Sequence, residues 1–470
     1  MFGLDTGLTI LLILCLFAAC AFEFINGFHD TANAVATVIY THSLKPRIAV
    51  VYSGFWNFIG VYFGGIAVAM GIVNLLPVEA LVDANMSHGI AMIMSLIFTA
   101  ILWNLGTWYF GIPVSSSHTL IGSIFGVGLA YMFLPGSQGV ALNWTKVEDV
   151  GLSLLISPLI GFFATLLLMR ALKLIIKNKK LFKKPPVDKA PPFWIRSIMV
   201  LTCTAVSFSH GSNDGQKGVG LIMMILIGIV PGYFALDAAK KPANLKSNLT
   251  QIELVMHTID TSKIDATSKS CILKINNKID SLTGIIANNK SFDQISKDKH
   301  FEIRKDIILI SKTTDKLLAS FSADKNVLSQ EKVKLLKQNV ASLKTNTEFA
   351  PWWVILMISL SLGIGTMVGW RRIVVTIGEK IGKTSLNYAQ GAASQFIAAT
   401  TISASSMLGL PVSTTHVLSS GIAGSMVAEN GRKNLQGKTL KNIGIAWVVT
   451  LPVTTVLSGS IFLLLRWIIS

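Results

Sequence analysis

The sequence predicts an all-α polytopic membrane protein made of two inverted-topology repeats, with broken helices, re-entrant hairpins and roughly 10–12 membrane segments. Three observations predict this fold class. Only 14% of the 470 residues are charged and 51% are hydrophobic, whereas about a quarter of the residues of a soluble domain are charged. A ten-residue motif occurs twice, and a second, twelve-residue motif also has two copies.

The first repeated motif reads GIPVSSSHTL at residues 111–120 and GLPVSTTHVL at residues 409–418, with six of ten positions identical. Each copy places three consecutive hydroxyl residues shortly after a proline, in apolar surroundings. Hydroxyls and backbone N–H groups at the start of a helix bind anions. Within a bilayer such a break is tolerated where it is buried in protein or lines a cavity. The alternative, that these residues only cap or pack helices, is weakened by the second copy.

The second motif aligns FINGFHDTANAV at residues 24–35 with FSHGSNDGQKGV at residues 208–219. Asp30 precedes Ser115 by 85 positions, whereas Asp214 precedes Ser413 by 199. The difference of 114 equals the length of the polar, Lys-rich segment 237–350. We therefore interpret the chain as two homologous halves with one insertion in the second half, a hallmark of secondary transporters.

This interpretation divides the chain into four parts. They are the first membrane repeat with a basic cytoplasmic linker (1–192), the start of the second repeat (193–236), a polar helical insertion (237–350) and the remainder of the second repeat (351–470).

Basic loops such as 173–189 and 371–383 predict the orientation, because short cytoplasmic loops are rich in Lys and Arg. Treating them as cytoplasmic places both termini outside. In an inverted second half the insertion also lies outside, which is the periplasm of a bacterium.

Asp30 and Asp214 are the strongest single candidates for function. A carboxylate within a membrane segment costs a few kcal/mol and normally serves an ion or proton pathway. The alternative is that each Asp caps a helix that restarts after a break, and both roles are compatible. Gly27 and Gly211 allow the chain to open beside them, while Asn33 or Asn213 adds an amide to a cation site.

Four of the eight histidines fall within the repeated motifs, which raises the chance that one of them titrates during transport. They are His29, His118, His210 and His416. The alternative for each is a hydrogen-bonded core residue. Their spacing does not fit a fixed structural metal site, and no cofactor is predicted.

Other classes of protein fit the sequence less well. The formal charge of +17 is explained by positive loops and solvated surface, so nucleic acid is not a predicted partner. GEKIGKT at residues 378–384 has one residue too few between its glycines for a Walker A motif. An intramembrane hydrolase using Ser115 and His118 would have no reason to duplicate them as Ser413 and His416. The chain is therefore predicted not to be an enzyme.

These motifs resemble those of the inorganic phosphate transporter family, Pit, and especially its bacterial low-affinity members. The match rests on NGFHDTANAVATVIYT (26–41), GTWYFGIPVSSSHTLIG (106–122), FSHGSNDGQKGVGL (208–221) and GLPVSTTHVLSS (409–420). The resemblance covers both membrane halves and leaves the insertion as the least informative part.

The resemblance implies import of orthophosphate across the bacterial inner membrane by alternating access, coupled to protons or sodium. The carried species in bacterial members resembles a neutral complex of a divalent metal, such as magnesium, with hydrogen phosphate. Position by position, it implies that phosphate is bound by the hydroxyls of Ser115, Ser116, Ser117, Ser413, Thr414 and Thr415. Thr119, in the first hydroxyl motif, is a further substrate-binding candidate. It further implies that Asp30, Asn33, Asn213 and Asp214 hold the coupling cation or the metal.

Two departures from the common family pattern GANDxAN favour protons over sodium. His29 replaces the first Asn, and Gln216 with Lys217 replaces the second Ala-Asn pair. An ammonium at Lys217 beside Asp214 can take the charge position of a bound sodium, so Lys217 joins the proton-linked candidates. We expect proton-coupled phosphate import; sodium coupling, a passive anion channel and a homodimer stay open.

Overall fold

The computed structural model describes residues 2–76, 86–134, 142–186, 189–287, 289–321 and 327–469. The chain forms two units, which we call the membrane unit (Asp5–Ile225 with Ala350–Ser470) and the insertion unit (Met1–Leu4 with Leu226–Phe349). The described residues are helical with connecting turns, and their only β-bridge joins Gly382 to Leu435. The predicted all-α class is confirmed.

The helices before the insertion are α1 (Thr6–Tyr40), α2 (Pro46–Phe63), α3 (Ala67–Val73), α4 (Met86–Tyr109), α5 (Ser116–Met132), α6 (Trp144–Ile175), α7 (Phe193–His210) and α8 (Gln216–Ile229). Those of the insertion unit are α9 (Pro231–Phe234), α10 (Pro242–His257), α11 (Ala266–Ile286), α12 (Lys297–Phe321) and α13 (Gln330–Lys344). The membrane unit ends with α14 (Trp352–Thr366), α15 (Arg371–Glu379), α16 (Tyr388–Met407), α17 (Thr414–Asn430) and α18 (Gly437–Ile469).

Four described helices, α1, α4, α6 and α18, are long and apolar enough to cross a membrane. Two bent pairs raise the number to six if each pair is one span: α2 with α3, bent by 71°, and α14 with α15, bent by 65°. The sequence predicted roughly 10–12 segments because it counted shorter, interrupted helices such as α5 and α17 as passes or half-passes. The predicted broken helices are thus present.

The outer surface of the membrane unit is apolar and its interior is partly polar. On α6, Leu152, Leu155 and Leu167 are more than half exposed, whereas Asp30 and Asp214 are buried. A water-soluble domain has the reverse distribution. This arrangement fits a bundle whose outer side chains face lipid and whose polar groups face one another.

Two helices begin within the repeated hydroxyl motifs, α5 and α17, and we call them the hydroxyl-led helices. Each of them packs against a helix of the other half. α5 lies along α18, and α17 lies along α6. Each half thus supplies the long helix that covers the hydroxyl-led helix of the other. Such reciprocal packing is expected of duplicated halves, whose inverted relation stays a prediction.

Close packing of α1 against α14 depends on glycine. A Cβ atom added at Gly27 would lie 2.5 Å from the Leu362 carbonyl oxygen and 2.8 Å from the Thr366 nitrogen. Small residues let helix backbones approach in this way within membranes. This contact holds the segment of α1 that carries Asp30.

We expect Gly27→Ala to lower the stability of the solubilised protein by about 1–3 kcal/mol, because the added methyl group forces α1 and α14 apart. Gly106→Ala in α4 is the control, since a Cβ atom there meets no atom within 4 Å. Thermal unfolding in detergent measures both variants. Equal unfolding temperatures would contradict the close contact.

The insertion unit has its own apolar core, formed by α10 to α13. Leu245, Leu249 and Ile252 of α10 are fully buried in it. The Arg304 guanidinium is also buried, and its Nη1 donates to the carbonyl oxygens of Ala235 at 3.1 Å and Thr347 at 2.7 Å. Arg304 therefore joins the two ends of the insertion, next to the predicted boundaries 237 and 350.

Leu249→Ala should destabilise the insertion by about 2–5 kcal/mol, since it removes a fully buried side chain. Hydrogen exchange of residues 242–344 in the full chain measures the loss. Leu254→Ala is the control, because Leu254 on the same helix is 55% exposed. If the insertion is an accessory domain that does not bind substrate, transport should persist in both variants. Loss of transport in Leu249→Ala alone would contradict that role.

Candidate functional site

Each hydroxyl motif starts a helix in the same way. The Ser115 hydroxyl accepts a hydrogen bond from the His118 backbone nitrogen, and the Ser413 hydroxyl accepts one from that of His416, both at 3.1 Å. Gly111 and Gly409 open the motifs with φ of +66° and +68°, which glycine adopts without strain. Ser115 and Ser413 thus cap α5 and α17. Hydroxyl groups that follow them, such as those of Ser116 and Thr415, contact Asp30 instead.

Both motifs meet at one carboxylate. Ser116 donates to Asp30 Oδ2 at 3.0 Å, and Thr415 donates to Asp30 Oδ1 at 2.9 Å. His29 Nδ1 lies 3.0 Å from Oδ1, so it donates as well. The starts of α5 and α17 therefore share a buried acidic group on α1.

Asp214 lies beside Asp30 and is paired with a lysine. A π-helical turn, Gly211–Gly215, carries it between α7 and α8. Its Oδ2 atom lies 2.8 Å from Lys217 Nζ and accepts from Ser116 at 3.5 Å. Lys217 Nζ also donates to Ser117 Oγ at 2.6 Å, so the ammonium predicted beside Asp214 is present and connects it to the first hydroxyl motif.

Asp30, His210 and Asp214 form a buried group that could hold a metal ion. Their ligand atoms lie within 4.8 Å of one another, and His210 Nε2 is 3.5 Å from Asp214 Oδ2 and 3.9 Å from Asp30 Oδ2. Carboxylate oxygens and imidazole nitrogens suit several divalent metals. His210, which sequence reasoning assigned to proton chemistry, therefore also belongs to the candidate cation set.

The two predicted amide ligands hold the second hydroxyl motif. Asn33 donates to Thr415 at 3.0 Å and to Thr414 at 3.4 Å. Asn213 accepts from the Val412 nitrogen at 3.2 Å and donates to Ser406 at 3.0 Å. Their cation-binding role stays a prediction, and the contacts here are positional.

The remaining candidates pack against other rings or bond along their own helix. The rings of His118 and His416 are 4.5 Å apart, and His416 stacks on Trp447 at 3.9 Å. The Thr119 hydroxyl donates to the Ser115 carbonyl oxygen at 3.0 Å, along its own helix. The four histidines thus form two sets, one at the carboxylates and one between the hydroxyl-led helices.

Gln216, the other departure from the family pattern, holds the break between α2 and α3. Its Oε1 accepts from the Val68 nitrogen at 2.7 Å, and its Nε2 donates to the Gly64 carbonyl oxygen at 2.9 Å. It therefore satisfies backbone groups that the break leaves without helical partners.

Sequence reasoning missed two polar residues of this region. Asn57 Oδ1 lies 3.0 Å from His210 Nδ1, and Glu23 is fully buried on α1. A charge inside a long apolar run is the signal that singled out Asp30, and it would have found Glu23 too. No comparable signal marks Asn57, because only the fold brings α2 against His210.

Comparisons with known proteins agree with the family resemblance. A family model described as "Phosphate transporter family" matches residues 26–458. The chain is 41% identical to the low-affinity inorganic phosphate transporter PitA of Escherichia coli K12, over 98% of this chain and 97% of that protein. It is also 41% identical to the low-affinity inorganic phosphate transporter of Buchnera aphidicola subsp. Acyrthosiphon pisum, covering 97% of each.

A solved structure titled "The sodium-dependent phosphate transporter" has a similar fold, with a TM-score of 0.54 and 20% identity over 98% of this chain and 100% of that one. The relatives are transporters, which confirms the prediction that the chain is not an enzyme. The match over 26–458 includes Asp30, Asp214 and both hydroxyl motifs. On these grounds the chain belongs to the phosphate transporter family.

Proposed function

We propose that this chain is a secondary active transporter that imports inorganic phosphate by proton-coupled symport with alternating access. The observation that supports it best is the convergence of Ser116 and Thr415, one from each half, on Asp30 at 3.0 and 2.9 Å. A site shared by two halves can open to either side when the halves rock against each other.

Phosphate binding is proposed at the starts of α5 and α17. The first-turn N–H groups of a helix and its partial positive charge favour an anion. Ser116, Ser117, Thr414 and Thr415 would add hydroxyl donors at the same place, with Ser116 and Thr415 turning from Asp30 to the phosphate. Charge-assisted hydrogen bonds to phosphate oxygens are stronger than neutral ones.

Charge balance supports a carried species that is neutral or accompanied by cations. Asp30 and Asp214 bring two negative charges, and Lys217 brings one positive charge. A phosphate dianion entering this buried site alone would add like charge at low dielectric. Complexation with a divalent metal, held at Asp30, His210 and Asp214, or co-entry with protons would remove that penalty.

Protons are proposed as the coupling ion because Lys217 already neutralises Asp214. Its ammonium is 2.8 Å from the carboxylate and fully buried, which leaves little reason for sodium at the same position. His29 and His210, two of the predicted proton-linked residues, lie directly at the carboxylates. The chain would act in the bacterial inner membrane, with both termini periplasmic.

Reconstituted uptake tests the proposal. Proteoliposomes receive phosphate or sulfate, with and without magnesium, under an imposed proton or sodium gradient. We expect phosphate to accumulate above equilibrium under the proton gradient and a protonophore to abolish this. Accumulation that needs sodium alone would show a sodium symporter, and equilibration without accumulation would show a passive channel.

A further inference from the structure

Glu23 is a buried carboxyl group close to the candidate site, and it has no role in the transport cycle proposed above. It lies on α1, seven residues before Asp30, and two helical turns place the two residues on one face. Its relative exposure is 0%. The Asn26 amide donates to Oε2 at 3.1 Å, and among the described residues Oε1 has no hydrogen-bond partner.

The three buried carboxyl groups differ in what stabilises a negative charge. Asp30 accepts from Ser116, Thr415 and His29. Asp214 is paired with the Lys217 ammonium at 2.8 Å. Among the described residues, the Asn26 amide is the one donor to Glu23. A buried carboxylate without a direct cation favours its neutral, protonated form.

Charges of both signs lie near Glu23, so its carboxyl group can both bind and release a proton. They are Lys217 on α8, Asp214 on the π-helical turn and Asp30 on α1, with the Cys20 thiol one turn earlier on its own helix. Lys217 favours the carboxylate, whereas the two aspartates oppose it. A change in the charge at Asp30 and Asp214, such as cation entry, therefore shifts the proton affinity of Glu23.

The α8 backbone comes directly against this side chain. A Cβ atom added at Gly218 would lie 2.7 Å from Glu23 Oε1 and would overlap its methylene carbon. Gly218 directly follows Lys217, so the helix that carries the ammonium also covers the unpartnered oxygen. This contact couples Glu23 to the element that carries Lys217.

We propose that Glu23 is the proton-binding site of the symport cycle, protonated when the loaded transporter changes its facing state and deprotonated when the proton is released. The step moves one proton to and from Glu23 Oε1 and involves no other covalent change. This inference rests on the proposed proton coupling. It assigns the coupled proton to a group distinct from the carboxylates that contact the hydroxyl motifs.

The test compares two assays on the reconstituted full chain with Glu23→Gln, which keeps the shape of the side chain and cannot carry a proton. Accumulation under an imposed proton gradient requires proton release; exchange of labelled for unlabelled phosphate at equal pH does not. We expect accumulation to fall by at least about tenfold and exchange to stay within about threefold of the wild type. Exchange in the variant should also lose the pH dependence found in the wild type.

Two further variants complete the design. Glu148→Gln removes an exposed carboxylate of α6 and should behave as the wild type in both assays. Glu23→Asp keeps a titratable group and should recover part of the accumulation. Accumulation by Glu23→Gln at the wild-type rate, or equal loss of accumulation and exchange, would overturn the assignment. A wild-type protein that ignores the proton gradient would instead overturn the proposed function.

Discussion

Phosphate uptake should fall by at least about a hundredfold when Asp30 is replaced by Asn, with the protein still inserted and folded. The Asp30 carboxylate accepts hydrogen bonds from both halves, through Ser116 and Thr415. An amide has one acceptor oxygen in place of two and no charge, so it cannot satisfy both hydroxyl groups and attract a cation. Each hydrogen bond to a charged group contributes about 1.5–3 kcal/mol. Losing these bonds is therefore sufficient for a hundredfold decrease in uptake.

Initial uptake rates in proteoliposomes, normalised to the amount of monodisperse protein, measure the change. Asp149→Asn is the matched control, because Asp149 is a half-exposed carboxylate of α6 whose partner is Lys146 at 3.5 Å. The control should keep the wild-type rate. An Asp30→Asn variant with wild-type uptake would remove Asp30 from the site.

The sequence singled out several of the residues that the fold brings together, because its two strongest signals have a direct physical basis. Asp30 and Asp214 stand out since charge is costly in apolar segments, and the hydroxyl motifs stand out because they occur twice. Equal spacing after removal of residues 237–350 relates the halves without any coordinates. These arguments need only local chemistry and counting.

Contacts between helices were beyond sequence reasoning. Nothing in the motif around Ser116 indicates that its hydroxyl reaches Asp30 on α1, and nothing near His416 indicates stacking on Trp447 of α18. Asn213 was predicted as a cation ligand, whereas here its amide holds Val412 and Ser406. The sequence gives the chemistry of a side chain; its partners depend on how the helices pack.

The number of membrane segments was also hard to predict from the sequence, because it too depends on contacts between helices. Hydropathy identifies α1, α4, α6 and α18 well because each is long and mostly apolar. The bent pair formed by α2 and α3 is less apparent, since its break is held by Gln216 from another part of the chain. A tertiary contact that satisfies a break has no signature in the broken segment itself.

Lys217→Met should destabilise the solubilised protein by about 3–5 kcal/mol, because it leaves the buried Asp214 carboxylate without its cation. In the described part of the chain, the other polar groups that contact Asp214 Oδ2 are Ser116 and His210, both at 3.5 Å. This distance is too long for either to replace an ammonium at 2.8 Å. The double variant Lys217→Met with Asp214→Asn removes both charges. It should recover most of the lost stability and still fail to accumulate phosphate.

Thermal unfolding and uptake under a proton gradient separate the two effects. Lys146→Met is the matched control, because it breaks a solvent-exposed pair worth about 0–1 kcal/mol. A double variant as unstable as Lys217→Met would mean that the ammonium stabilises the fold through Ser117 and not through Asp214. A stable double variant that accumulates phosphate would mean that the ion pair is structural. The expected combination, with stability restored and transport lost, would separate the folding role of the pair from its role in coupling.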